Sequence, residues 1–163
     1  MDLIKDKASR SVANKSACFI LPTYNEEKNI RRTIEGILSN QELVPGYQFE
    51  ILVVDDNSTD GTLEKARSIN NPNLICYSRK RRGLASAFLV GLINSSGDVV
   101  GWVDSNMSSV IKNYPRMISK LDEADVVILS RYVEGSKDER NKFRVIASYF
   151  LNKFSKLISI FFD

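Results

Sequence analysis

The run DVVGWVD, residues 98–104, has the β-branched, apolar make-up of a core strand, yet it leads straight into Asp104-Ser105-Asn106. Two oxygen-bearing side chains then stand one residue apart. On an extended segment, positions two apart face the same way, so both oxygens can address one hard cation. An amide oxygen coordinates without adding negative charge, so such a site leans on Asp104. Other polar clusters follow other apolar runs: Pro22-Thr23-Tyr24-Asn25-Glu26, then Asp55-Asp56-Asn57-Ser58-Thr59-Asp60-Gly61-Thr62, then Arg131-Tyr132. Asp60-Gly61-Thr62 also reads as a plain turn and helix cap, with Ser58 and Asp60 accepting orphan backbone N–H groups. Arg79-Lys80-Arg81-Arg82 reads as a solvated loop. It lacks the interleaved aromatics of a nucleic-acid surface, and no nucleic-acid partner is expected. The chain has no histidine, which excludes a histidine base, a Ser-His-Asp triad and a histidine metal site.

These clusters need a scaffold. At 163 residues, with 43% hydrophobic and 26% charged residues, the chain is long and apolar enough for one domain with a real core. Its formal charge of +3 permits a phosphate-bearing partner or an anionic membrane surface without demanding either. Cys18 and Cys76 lie in apolar runs and read as small buried hydrophobes of a reducing compartment. The first 16 residues lack the apolar centre of a signal peptide, and no stretch is apolar for the roughly 18 residues a spanning helix needs.

ACFIL (17–21), FEILVVD (49–55), NLICYS (73–78), DVVGWVD (98–104) and DVVILS (125–130) read as strands. Between them, Glu26 to Leu38, Thr62 to Ile69, Leu84 to Ile93 and Ile111 to Leu121 carry apolar residues at helical spacing. Such alternation predicts an α/β fold, a mostly parallel central sheet with helices on both faces. Ligands bind such sheets beyond the carboxyl ends of the strands, where all four polar clusters fall. From Phe143 the tail places Ile146, Phe150, Phe154, Leu157, Ile158 and Phe161 on one helical side, with lysines among its polar residues. It suits either a membrane interface or packing on the sheet.

PTYNE (22–26), VVDDNSTDGT (53–62), GLASAFLVGLINSSGD (83–98) and SRYVEG (130–135), in this order, resemble the family 2 inverting glycosyltransferases of A-type fold. More narrowly they resemble the polyprenol-phosphate hexose synthases, the dolichol-phosphate mannose synthase-like branch. The likeness runs from about Ala17 to Asn152. It implies transfer of a hexose, mannose favoured, from GDP-mannose or a UDP-hexose to a polyprenyl or dolichyl phosphate, with inversion at the anomeric carbon. Pro22, Tyr24, Glu26, Asp55, Asp56 and Gly83 would bind the donor nucleotide. Asp104 and Asn106, in place of the family's Asp-x-Asp, would hold Mg²⁺ or Mn²⁺. Arg131, Arg144 and Ser148 would bind the acceptor phosphate, and Asp104 and Arg131 would be catalytic.

A phosphate monoester is anionic at neutral pH, its second pKa being about 6, so the missing histidine is no obstacle. Ser108 and the stretch Ser109 to Asn113 depart from the family's usual glutamine and His-Pro-Pro. The implied organisation is a flexible segment at 1–16, a nucleotide-sugar-binding domain at 17–142, and an acceptor or membrane-interface helix at 143–163. The domain is expected to be C-terminally incomplete. The implied location is peripheral, at the cytoplasmic face of a membrane, with room for a membrane-anchoring partner protein. Two alternatives are a family 2 transferase with a saccharide or protein acceptor and a non-catalytic nucleotide-sugar-binding module, the latter motivated by Asn106 and the early stop.

Overall fold

The computed structural model describes residues 15–80, 83–105, 108–130 and Ser148, without the side chains of Ser108 and Ser109. The chain divides into two compact units, Met1–Val127 and Ile128–Asp163. The first unit is built on four parallel strands: β1 (Lys15–Thr23), β2 (Tyr47–Asp55), β3 (Leu74–Ser78) and β4 (Val99–Trp102). Their spatial order is β3-β2-β1-β4. Among the described residues, five α-helices accompany them: α1 (Ile30–Ser39), α2 (Thr62–Arg67), α3 (Leu84–Asn94), α4 (Ser108–Ile111) and α5 (Tyr114–Lys120).

The central strands β1 and β2 carry continuous buried apolar runs, at 17–22 and 51–54, because both their faces are covered there. In β1, Ala17, Phe19 and Leu21 join one buried cluster while Cys18 and Ile20 join another. In β2, Phe49, Ile51 and Val53 face the first cluster, and Leu52 and Val54 the second. The first cluster takes its helical side chains from α1, α2, α4 and α5, among them Ile30, Ile34, Ile37, Ala66, Ile111 and Ile118. The second is closed by α3 through Ala87, with Phe88 and Val90 packed at its margin. Burying each of the isoleucines of α1 contributes about 1.5–3 kcal/mol, which makes that stripe the main anchor of the helix.

Helix α3 approaches the sheet closely. A Cβ at Gly91 would lie 2.3 Å from Ile20 Cγ2, so this position needs glycine for contact rather than for backbone freedom. Both cysteines are free, and burial pushes the Cys18 thiol up to about 11 and raises Cys76 as well. Neither thiol is activated, in keeping with their reading as small hydrophobes.

The register matters most for function. Thr23 lies beside Asp55, and Asp55 beside Ser78, so β1, β2 and β3 end on one level. Strand order reverses between β1 and β4, and the crevice at such a switch point is where open α/β sheets bind ligands.

One expected strand does not form. Residues 126–130 take no regular structure, and Val126 and Ile128 are 71% and 79% exposed. The segment has strand composition but no ladder partner, since β4 pairs only with β1 among the described residues. The expected division at 142–143 and the tail helix lie outside the described residues, apart from Ser148, which is helical and half-buried.

Candidate active site at the strand ends

A cavity of about 230 Å³ opens at the switch point. The end of β1 supplies Pro22 and Thr23, the residues after it Tyr24 and Glu26, the residue after β2 Asp56, and the segment after β4 Asp104 and Ser105. The start of α3 closes it with Gly83, Leu84 and Ala87. A second cavity of about 240 Å³, between α1 and α4, is lined by Arg32, Ser39, Asn40 and Lys112 and holds no carboxylate. Six of the sequence-predicted residues, Pro22, Tyr24, Glu26, Asp56, Gly83 and Asp104, therefore share the first cavity.

Asp55 is placed differently. It is fully buried, and its carboxylate accepts from the Thr23 hydroxyl at 3.1 Å, the Ser58 backbone N–H at 2.9 Å and the Ser58 hydroxyl. It does not line the cavity. Its geometry is that of a pin between the ends of β1 and β2. Asn106, Arg131 and Arg144 lie outside the described residues, and Ser148 belongs to the second unit.

The loops after β1 and β2 are locked together by side chains of the DDNSTDGT segment. Ser58 Oγ accepts from the Asn25 backbone N–H at 2.9 Å, Thr62 Oγ1 from Glu26 at 2.8 Å, and Asp60 Oδ2 from Glu27 at 3.0 Å. Asn25 answers with its own Oδ1, which accepts from the Thr59 N–H at 3.0 Å. A helical turn already begins at Glu26, whose carbonyl accepts from the N–H groups of Asn29 and Ile30. The N–H groups of residues 25–27 are thus orphans at a helix start, and three side chains spaced two apart on another loop satisfy them. The cap reading of this segment and the binding reading are both served: the caps fix Tyr24 and Glu26 in the cavity wall. Asn25 and Asn57 hold positive φ angles of 56° and 60°, a conformation asparagine tolerates better than most residues.

Asp60 also accepts from the Thr62 N–H and hydroxyl. Desolvation pushes its carboxyl up, but the Thr62 hydroxyl and the backbone N–H groups outweigh it and hold the carboxyl below its ordinary 3.8.

The Arg79–Arg82 run needs correcting at its first member. Arg79 is 13% exposed and pairs with Asp56 at 2.6 Å, so it belongs to the fold and not to a solvated loop. Thr33, on α1, carried no motif signal either. It is fully buried, and its hydroxyl donates to the Ser105 carbonyl at 2.7 Å, which fixes the chain beside Asp104.

Asp104 offers a hard carboxylate on the β4 side of the cavity, and no three histidine, cysteine or acidic side chains cluster among the described residues. A carboxylate is a ligand of the kind hard divalent cations take.

Comparison with known proteins agrees with this architecture. A sequence model described as glycosyl transferase family 2 matches residues 18–163. The dolichol-phosphate mannosyltransferase of Pyrococcus furiosus is 35% identical over 127 residues, which cover 76% of this chain and 35% of that protein. The chain therefore spans about a third of that relative's length. Among solved structures, S. aureus TarS (residues 1–349) with UDP superposes with a TM-score of 0.55 at 30% identity, covering 77% of this chain and 38% of TarS. Glucosyl-3-phosphoglycerate synthase from Mycobacterium tuberculosis, in complex with Mn²⁺, UDP and glucosyl-3-phosphoglycerate, gives 0.52 at 28% identity, covering 67% and 40%.

Proposed function

The chain belongs to glycosyl transferase family 2, and from that premise we propose that it transfers a hexose, mannose favoured, from a nucleoside diphosphate sugar to a polyprenyl or dolichyl phosphate. The observation that carries this reading is the gathering of Tyr24, Glu26, Asp56, Gly83 and Asp104 around one cavity at the switch point. The likeness to a dolichol-phosphate mannosyltransferase supports the choice of sugar and acceptor.

The donor is held in parts. Tyr24 offers an aromatic face, and Asp56 and Glu26 offer acceptor-only oxygens to base N–H and ribose hydroxyl groups. Gly83 lines the cavity at φ 89°, a backbone conformation that favours glycine, and offers bare backbone to the donor. When bound, a divalent cation such as Mg²⁺ or Mn²⁺ supplies charge neutralisation on the leaving diphosphate, and Asp104 with Asn106 would hold it.

An acceptor phosphate oxygen attacks the anomeric carbon from the side opposite the diphosphate. A carbon–oxygen bond forms there as the bond to the diphosphate breaks, so the configuration inverts. No proton must be removed from an anionic phosphate, which fits a chain without histidine. The protein's task is then orientation and charge compensation, with Arg131, Arg144 and Ser148 assigned to the acceptor phosphate. Arginine suits that role because its planar fork meets phosphate oxygens in pairs.

No helix among the described residues is long and apolar enough to cross a membrane. The assigned location is peripheral, at a cytoplasmic membrane face where a lipid phosphate is presented. A second reading, a small soluble phosphate acceptor, is favoured by the likeness to glucosyl-3-phosphoglycerate synthase. Incubating the protein with labelled donor and either short polyprenyl phosphate or 3-phosphoglycerate separates the two. Label in the lipid phase supports the lipid acceptor, and label in the aqueous acceptor alone overturns it.

A further inference from the structure

Arg79 follows directly on β3 and does not line the donor cavity, yet three of its bonds reach groups at the cavity's edge. Its Nε donates to Asp56 Oδ1 at 2.6 Å, and its Nη2 donates to the Gly83 carbonyl and to Ser86 Oγ, each at 3.0 Å. Asp56 Oδ2 in turn accepts from the Gly83 N–H at 2.8 Å, and the Ser86 hydroxyl donates to the Gly83 carbonyl at 2.9 Å. The Arg79 backbone N–H donates to the Asp55 carbonyl at 3.0 Å, which continues the β2–β3 ladder and fixes where the side chain starts. The ion pair is largely shielded from water, at 13% and 7% side-chain exposure.

We propose that Arg79 is a positioning residue for the nucleotide pocket: it sets the orientation of Asp56 and the path of the chain at Gly83 without touching the donor. The proposal rests on the donor reading above. Its physical basis is the shape of the guanidinium. One planar group spans a carboxylate on one side and a carbonyl and hydroxyl on the other, at fixed angles. A lysine ammonium at the same place would be a single point of charge on a flexible stem and could not hold both partners in one geometry. Two pocket elements from different parts of the chain, the residue after β2 and the start of α3, are thereby fixed before any ligand arrives. Such preorganisation governs how tightly a ligand binds, because a loose pocket must be ordered at the ligand's expense.

The test compares wild type, Arg79→Lys, Arg79→Met and Ser86→Ala. GDP and UDP are titrated calorimetrically, and steady-state transfer is measured with the matching sugar donor. Both Arg79 variants are expected to bind nucleotide about tenfold more weakly or worse, with donor KM raised by the same factor and kcat nearly unchanged. Ser86→Ala, which removes one contact, is expected to lose about two- to threefold. Unchanged nucleotide affinity overturns the proposal. So does full affinity in Arg79→Lys, which would show that charge alone suffices, and so does a fall in kcat at constant KM, which would put Arg79 at the reacting atoms. If Arg79→Met does not fold, Arg79→Lys and Ser86→Ala carry the same comparison. If wild type binds neither nucleotide, the donor reading fails by itself. Amide hydrogen exchange at residues 83–87 then decides the clamp, where faster exchange in the Arg79 variants supports it and unchanged exchange overturns it.

Discussion

Asp55 and Asp56 are neighbours in sequence, yet their carboxylates have different partners. Asp55 is consumed by Thr23 and Ser58 inside the fold, whereas Asp56 meets Arg79 and Gly83 at the cavity. Asp55→Ala would leave buried donors without their acceptor and is expected to lower stability by about 2–4 kcal/mol, read as a reduced denaturation midpoint. Little loss would show that the pin is dispensable. Asp104 lines the cavity just after β4, and Asp104→Ala is expected to cut kcat/KM by about a hundredfold or more with the thermal midpoint kept. Retained turnover would remove Asp104 from the chemistry. Residue types and spacing made the polar cluster legible, because several polar segments, each an ordinary turn by itself, all follow apolar strand-like runs and so converge on one edge of the sheet. Which aspartate faces inward was not legible, since that depends on Thr23, 32 residues away. Thr33 was invisible for the same reason, its partner Ser105 being 72 positions on.

At the level of elements, the DDNSTDGT loop works as a cap for another loop's helix. Asp60 carries the clearest consequence. Its folded carboxyl is held below 3.8, so the unfolded chain takes up the proton more readily as pH falls. The stability it contributes is fully present above about 3.8 and is lost as pH drops through the lowered folded value. Asp60→Asn should therefore be less stable than wild type at neutral pH and show a flatter acid limb. Coincident stability curves from pH 2 to 7 would contradict this. Helix α3 offers a packing test: Gly91→Ala places a Cβ against Ile20 and is expected to cost about 1–3 kcal/mol through overpacking. A neutral effect would mean that the helix can lift off the sheet freely. Four of five expected strands are present because alternate residues on β1 and β2 feed two separate cores. The segment DVVILS shows the limit of that signal. Composition gives a strand its tendency, but among the described residues Val126 and Ile128 have no neighbouring ladder, and pairing is a property of the sheet.

For the whole molecule, the parallel sheet and its switch point follow from the alternation of strand and helix patterns, and the cavity falls where that architecture requires it. The assigned acceptor side is different in kind. Arg131 and Arg144 lie outside the described residues, and the chain covers about a third of the P. furiosus relative, so donor chemistry and acceptor chemistry stand on separate supports. Transfer itself joins them. The most direct measurement follows label from GDP-mannose, UDP-glucose and UDP-N-acetylglucosamine into a short polyprenyl phosphate, with Mg²⁺, Mn²⁺ or EDTA present. The account predicts lipid-linked product from one donor, GDP-mannose favoured, formed with the divalent ion and lost with EDTA. Folded protein that binds nucleotide yet yields no lipid product from any donor would contradict it.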